Sequence, residues 1–428
     1  MHTTTLKAAL LSSIAIISVS CKDRNIPAPE YFQEEGIRVQ IENKGIYSSR
    51  KNTVLKAVYE AEKDTTVALN AVLLRDLSLM GEKDTVATAC AEARSNETVK
   101  LNFGKLEPGF YQVNICGAEP FNIGVDPEKI VSPTTKQPDF DEFWAHNLAE
   151  LAAIPMEASL ELIPDRCTEK RNVYRVEMKS LGGTTIGGIL AEPVAEGKYP
   201  AYIEYMGYGA EPYVYHGDDK PEAIQFLVSI REQGILKTIP NGENGRWIDV
   251  GLGDKEDFYY KGAFCDAVRA VDFVASREKT DASLIFGLGE SQGGALTWIA
   301  ASLDHRFRAI APAVPFLSDY EDYAKIVWWP MWEVFETADK EGIAREDLFT
   351  TLSYFDVKNF TDRIACPVRM AFGLQDPTCP PHTNFAGFNN VKTDKDYMCV
   401  PRCGHGMWQI QEWADYRNEW FNKIQSEL

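Results

Sequence analysis

Positive charge is in short supply in this sequence. Against 63 acidic residues it sets 44 lysines and arginines, a formal net charge of −19. A protein that neutralises phosphates needs the opposite balance, so nucleic acid is excluded as a partner. The acidity itself is read as ordinary surface solubility. Histidine is scarce too, six in 428 residues, which keeps the candidates for a general base few. The cysteines form no paired Cys-x-x-Cys of the kind zinc sites use, so no metal is expected. No repeat and no low-complexity tract interrupts the chain. Beyond the N-terminus no stretch is apolar enough to cross a membrane.

What is present begins with a leader. Lys7 supplies a positive charge, and Ala8 to Val19 form an apolar run too short to span a bilayer as a helix. Ser20-Cys21 and the polar Lys22-Asp23-Arg24 follow. Residues 1–21 therefore read as a secretory signal, with Cys21 placed as in a bacterial lipobox, although Ile17 stands one place further from it than the usual Leu. The expected location is the cell envelope, with membrane contact only through a lipid on Cys21. Export permits disulfides. Cys90 and Cys116 are a candidate pair, while Cys399 and Cys403 read as buried free thiols.

At 428 residues the chain is long for one average domain. From Ile37 to Val125 it shows the two-residue alternation of half-buried strands, as in Gly36–Ile41, Thr53–Tyr59 and Gly109–Ile115. Asn43-Lys44-Gly45 and Glu107-Pro108-Gly109 are turns between them. Residues 22–131 are thus expected to form a small all-β sandwich of immunoglobulin-like size, as a spacer or, less simply, a glycan-binding module. Ser132 to Pro138, polar and with two prolines, reads as a linker. From there strands alternate with helices: Phe140, Phe143, Trp144, Leu148 and Leu151 at helical spacing, then strands at Ala201–Tyr205, Leu284–Leu288 and Pro367–Phe372. A further helix carries Phe264, Ala267, Val268, Val271 and Val274 on one face, and the last helix Trp413, Trp420 and Ile424. Residues 132–428 are therefore an α/β domain with a mostly parallel sheet and helices on both faces.

Gly289-Glu290-Ser291-Gln292-Gly293 is the only Gly-x-Ser-x-Gly in the chain. It follows an apolar strand and opens a helical run. A nucleophilic serine at such a strand-to-helix bend is lifted above the sheet, and the flanking Gly289 and Gly293 are needed because side chains there would collide. In the α/β-hydrolase fold the chain order is serine, acid, histidine. His2 leaves with the leader, and His146, His216 and His305 are badly placed, which leaves His382 and His405. His405, in a loop after the strand Asp396–Val400 and before the last helix, is the expected base. His382, after Pro380-Pro381, is expected to cap a helix or face solvent. Asp376 follows a buried strand directly and is the expected acid, whereas Asp362 and Asp394 precede strands and lie at the wrong end of the sheet. Two backbone N–H groups should hold the oxyanion: Gln292, at a helix start, and Tyr208 in Met206-Gly207-Tyr208-Gly209.

At these residues the chain resembles the acetyl xylan esterase and cephalosporin C deacetylase family, carbohydrate esterase family seven. The likeness is carried by Lys136–Trp144, Tyr259-Tyr260-Lys261-Gly262 with Asp266–Ala270, Ser291-Gln292-Gly293-Gly294, Val314–Leu317, Tyr354-Phe355-Asp356 and Gly373–Pro381. It implies triad roles for Ser291, Asp376 and His405 and oxyanion amides at Tyr208 and Gln292. It also implies deacetylation of small acetylated molecules, acetylated sugars above all, without a cofactor. The family's Arg-Gly-Gln motif is expected to be replaced around Asn241-Gly242-Glu243. Gly406 stands where Glu usually follows the histidine. The added sandwich and lipid leave the family's hexamer in question, so a homo-oligomer is one possible state. Trp328, Trp329 and Trp332, near Tyr320 and Tyr323, are candidates for a sugar-stacking platform, against the commoner role of core or lid packing. Two other functions compete. A serine peptidase of the prolyl-oligopeptidase type would need a propeller that about a hundred residues of sandwich do not supply. A non-catalytic glycan-binding surface lipoprotein would have no use for a full triad.

Overall fold

The computed structural model describes residues 30–34, 36–116, 118–213, 215, 220–237 and 245–427. The leader with Cys21, His216 and Asn241-Gly242-Glu243 lie outside the described residues.

Residues up to Val125 form two facing sheets. One holds β1 (Glu30–Glu34), β2 (Ile37–Ile41), β4 (Val54–Tyr59) and β7 (Thr98–Asn102) in that order, all antiparallel. The other holds β3 (Ile46–Tyr47), β9 (Phe121–Val125), β8 (Gly109–Ile115), β5 (Thr66–Arg75) and β6 (Thr85–Arg94). The alternation read from the sequence is the alternation of burial: Val39, Leu55 and Leu101 of the first sheet meet Leu73, Val113 and Ile123 of the second in one core. Tyr111 is fully buried and its hydroxyl donates to Glu107 O at 2.7 Å, tying a strand to the corner before it.

Cys90 and Cys116 are free. Cys90 pairs with Asn70 across one edge of β5, and Cys116 N donates to Asn70 O from the other edge. A whole strand separates them, about 9–10 Å at the usual strand spacing, and a disulfide cannot bridge that. Cys399 and Cys403 form no disulfide, the first buried with its thiol donating to Lys44 O at 3.4 Å and the second partly buried.

The second unit is a nine-stranded sheet: β10 (Ser159–Leu162), β11 (Arg171–Lys179), β12 (Thr185–Pro193), β14 (Ile224–Ser229), β13 (Tyr199–Tyr205), β15 (Thr280–Glu290), β16 (Phe307–Ala313), β17 (Val368–Gly373) and β18 (Lys395–Val400). From β14 onward each neighbouring pair is parallel, while β10, β11 and β12 add an antiparallel edge. Its helices are α1 (Phe140–Ala153), α2 (Tyr259–Ser276), α3 (Gln292–Leu303), α4 (Tyr320–Ile326), α5 (Met331–Glu341), α6 (Arg345–Ser353), α7 (Pro381–Asn390) and α8 (Gln411–Ser426). β14 is buried at all its positions, as a central parallel strand covered on both faces must be. After β13 the chain moves to one side for β14 and to the other for β15, so the order reverses between β13 and β15. Ligands bind beyond the carboxyl ends of strands at such a reversal. No described helix is long and apolar enough to cross a membrane.

Ser132 to Pro138 is strapped down rather than loose. Ser132 Oγ donates to Asp319 at 2.7 Å, Asn359 Oδ1 accepts from Thr134 Oγ1 and Thr135 N, and Lys136 pairs with Asp362. Its polarity reflects partners on the hydrolase unit. The two units also share an interior, because Phe110 of β8 packs against Phe372 of β17 and Phe385 of α7.

Candidate active site

Each expected site residue follows the carboxyl end of a parallel strand. Met206 to Gly209 come after β13, Ser291 after β15, Asp376 after β17 and His405 after β18. Four segments far apart in sequence therefore meet at one edge.

Ser291 is the bend between β15 and α3, at φ 58° and ψ −121°, a conformation L-residues rarely adopt. Neighbouring backbone holds it there: Ser291 N donates to Ala313 O at 3.0 Å, and Ser291 O accepts from Phe316 N at 3.1 Å. The flanking glycines are steric requirements. A Cβ on Gly289 would lie 2.5 Å from the carbonyl of Gly293, and one on Gly293 would run into the Tyr205 carbonyl oxygen.

Asp376 is 2% exposed. Its Oδ1 accepts from Thr378 N at 2.8 Å and Cys379 N at 2.9 Å, which leaves Oδ2 for His405 Nδ1 at 2.9 Å. With Nδ1 as donor, Nε2 of His405 is the proton acceptor. Ser291 and His405 line one cavity of about 610 Å³, walled by Tyr208, Trp329 and Trp408. Cys379, next to the acid loop, is fully buried, and burial pushes its thiol pKa well up. A neutral thiol at that place is no rival nucleophile. Hydroxyl–imidazole hydrogen bonds commonly tighten only when substrate arrives.

The Gln292 amide opens α3, where the first N–H groups have no acceptor inside the helix. Tyr208 lies in the Gly207–Ala210 turn, its ring fixed by a hydroxyl that donates to Gly245 O at 2.9 Å and accepts from Ile248 N at 3.2 Å. Sequence reasoning missed the residue that joins these two loops. Gln233, 2% exposed, accepts from Gly209 N at 3.0 Å through Oε1 and exchanges hydrogen bonds with the Gln292 side chain at 3.0 and 3.2 Å. Tyr260 OH also donates to Gln292 Oε1. The signal available was position, since Gln233 follows the carboxyl end of β14. Beside Gln233, Glu232 sits at φ 60°, where a glycine would be unstrained. Arg231 forms a two-pronged ion pair with buried Asp266.

His382 neither caps a helix end nor faces solvent. It is buried, with Nδ1 2.8 Å from Asp76 of the sandwich and Nε2 3.6 Å from Asp322 of α4. The aromatic cluster also divides. Tyr320 and Tyr323 are core, Trp329 stacks on Phe316 at 5.9 Å, and Trp332 lies beneath Arg246. Trp328 alone stays open to solvent, 69% exposed.

The acetyl xylan esterase (AXE1) family model matches residues 128–422, nearly the whole second unit. The chain belongs to the acetyl xylan esterase family. Acetyl esterase Axe7A of Xylanibacter ruminicola is 29% identical over 349 residues, covering 77% of each chain. Among solved structures, acetyl xylan esterase 1 from Thermoanaerobacterium sp. JW/SL YS485 aligns with TM-score 0.62 and 27% identity over 69% of this chain and 97% of its own. The acetyl xylan esterase from Paenibacillus sp. R4 aligns with TM-score 0.62 and 31% identity over 70% and 98%. The second unit is thus an α/β-hydrolase, and this member of the acetyl xylan esterase family is a carboxylic ester hydrolase that acts as an acetyl esterase. The sandwich lies outside the family match.

Proposed function

We propose that this acetyl esterase removes acetyl groups from acetylated carbohydrates of the xylan type through an acetyl-Ser291 intermediate. One observation carries the reading: at the mouth that holds the strained Ser291, a buried carboxylate fixed by two amides points its remaining oxygen at His405 Nδ1, 2.9 Å away. His405 Nε2 takes the proton from Ser291 Oγ as the oxygen attacks the acetyl carbonyl. The amides of Tyr208 and Gln292 receive the oxyanion. The sugar oxygen leaves with the proton from His405, and water enters by the same steps to release acetate and restore Ser291. Asp376 keeps the imidazole turned and stabilises its cation.

The test is acetate release from 4-nitrophenyl acetate and from acetylated xylan by Ser291→Ala. The expected result is a fall in kcat of about 10⁵–10⁶-fold with an unchanged melting temperature, and, in the active protein quenched during turnover, one acetyl group on the peptide containing Ser291. Undiminished turnover by the variant would remove Ser291 from the mechanism.

A further inference from the structure

A second cavity, of about 420 Å³, lies between the two units, with Asp76, Gln112 and Asn122 on the sandwich side and Trp328, Gln375 and Pro377 opposite. We propose that this cleft binds the sugar chain bearing the scissile acetyl group, with Trp328 as its stacking platform, so that the enzyme acts on oligomers rather than on isolated sugars. The proposal rests on the esterase reading above and names the part of the substrate that the catalytic cavity does not hold.

Three observations support it. The first is exposure. Exposed apolar side chains gathered in one cleft, rather than scattered singly, mark a binding surface. Trp328 is 69% exposed and its neighbour in the cleft, Met80, is 45% exposed. The second is continuity with the site. Asp376 and Pro377 wall the cleft while Thr378 walls the catalytic cavity, and of two consecutive tryptophans Trp328 lines the first and Trp329 the second. A chain on Trp328 therefore runs along the loop that carries the catalytic acid. The third is charge. The cleft's ionic groups are already engaged, Asp76 by His382 and Leu77 N, and Lys83 by the Leu79 carbonyl. What remains is an aromatic face with amides such as Gln112, which suits a neutral ligand of C–H faces and hydroxyl rims. The platform is also firmly placed, because Met80 N donates to Lys325 O at 2.9 Å and ties the end of α4 to the sandwich just before Trp328.

The experiment compares wild type, Trp328→Ala and Trp328→Phe on 4-nitrophenyl acetate and on short and long acetylated xylo-oligosaccharides. Expected for Trp328→Ala is a KM about tenfold higher on the long substrates, equivalent to about 1.4 kcal/mol. Its kinetics on 4-nitrophenyl acetate should stay within about twofold, and Trp328→Phe should recover much of the loss. An unchanged KM on long substrates overturns the proposal. So does an equal loss on the aryl ester, which would make Trp328 a support for the catalytic cavity. If wild type cleaves the aryl ester but no acetylated oligosaccharide, the cleft proposal falls together with the xylan-type substrate, and only the Ser291 mechanism stands. If it cleaves neither, the esterase reading falls, and calorimetric titration of unacetylated xylo-oligosaccharide into wild type and Trp328→Ala decides the cleft separately: equal or no binding by both overturns it.

Discussion

The positions of Ser291, Asp376 and His405, which the structure brings to one edge of the sheet, were expected from local signals, a glycine-flanked bend or a loop just after an apolar strand. Gln233 was not, since its value arises from contacts with Gly209 and Gln292, residues remote in the chain. Gln233→Ala would leave the Gly209 amide without its acceptor and the Gln292 side chain half satisfied. The loops that carry Tyr208 and Gln292, proposed to hold the oxyanion, would then lose registration. The expected outcome is a fall in kcat of about 10–100-fold with KM little changed, read from steady-state kinetics on 4-nitrophenyl acetate. Glu290 is the other residue that pattern alone undervalued. Its Oε2 is buried with no hydrogen-bond partner among the described residues, and burial, against the pull of Arg417, pushes its carboxyl up to about 7. It gains a negative charge beside Ser291 as pH rises through that value. The pH profile of kcat/KM should therefore carry a step near pH 7 that Glu290→Gln lacks; identical profiles would show that its charge does not reach the reaction.

At the level of elements, the periodicities named the strands at Gly109–Ile115, Ala201–Tyr205 and Asp396–Val400 and the helices around Phe140 and Trp413, all present. The order of the strands was not readable, because pairing depends on tertiary packing. Nor was the antiparallel edge of β10 to β12, since strand runs are alike whichever way a neighbour points. His382 was misjudged for a related reason: the prolines before it fix a helix start, but its partners come from α4 and from the sandwich. The bend between β15 and α3 makes the sharpest structural demand. Gly293→Ala would push a methyl group into the Tyr205 carbonyl, which only a shift of backbone can relieve. A melting temperature several degrees lower, together with a loss of activity greater than the loss of folded protein, is expected; calorimetry with active-site titration by a fluorophosphonate measures both.

For the whole molecule, the place to look is the joint where the sandwich meets the hydrolase unit through His382. Buried His382 is penalised as a cation by burial, yet Asp76 and Asp322 outweigh this and hold its pKa at about 10. Because the folded value lies above the unfolded one, near 6.5, the stabilisation is complete below about pH 6.5 and disappears as pH rises through about 10. Asp76→Asn should cost roughly 3–5 kcal/mol near pH 6, the usual result of breaking a buried pair. The gap in melting temperature between wild type and variant should close toward pH 10, as calorimetry over that range will show. A constant gap would mean that the proton on His382 contributes nothing to the joint.

Gln375, one residue before Asp376, exchanges hydrogen bonds with the backbone of Asn122 in β9, accepting from its N–H at 2.7 Å and donating to its carbonyl at 3.1 Å. The amide thus behaves like one more rung of the sandwich's own ladder, and the acid loop is moored to a part of the protein outside the shared catalytic unit. Any drift of the sandwich, from heat, proteolysis or a mutation far from Ser291, would be transmitted to the aim of Asp376 as a small rotation. Inactivation of this esterase should accordingly run ahead of its global unfolding.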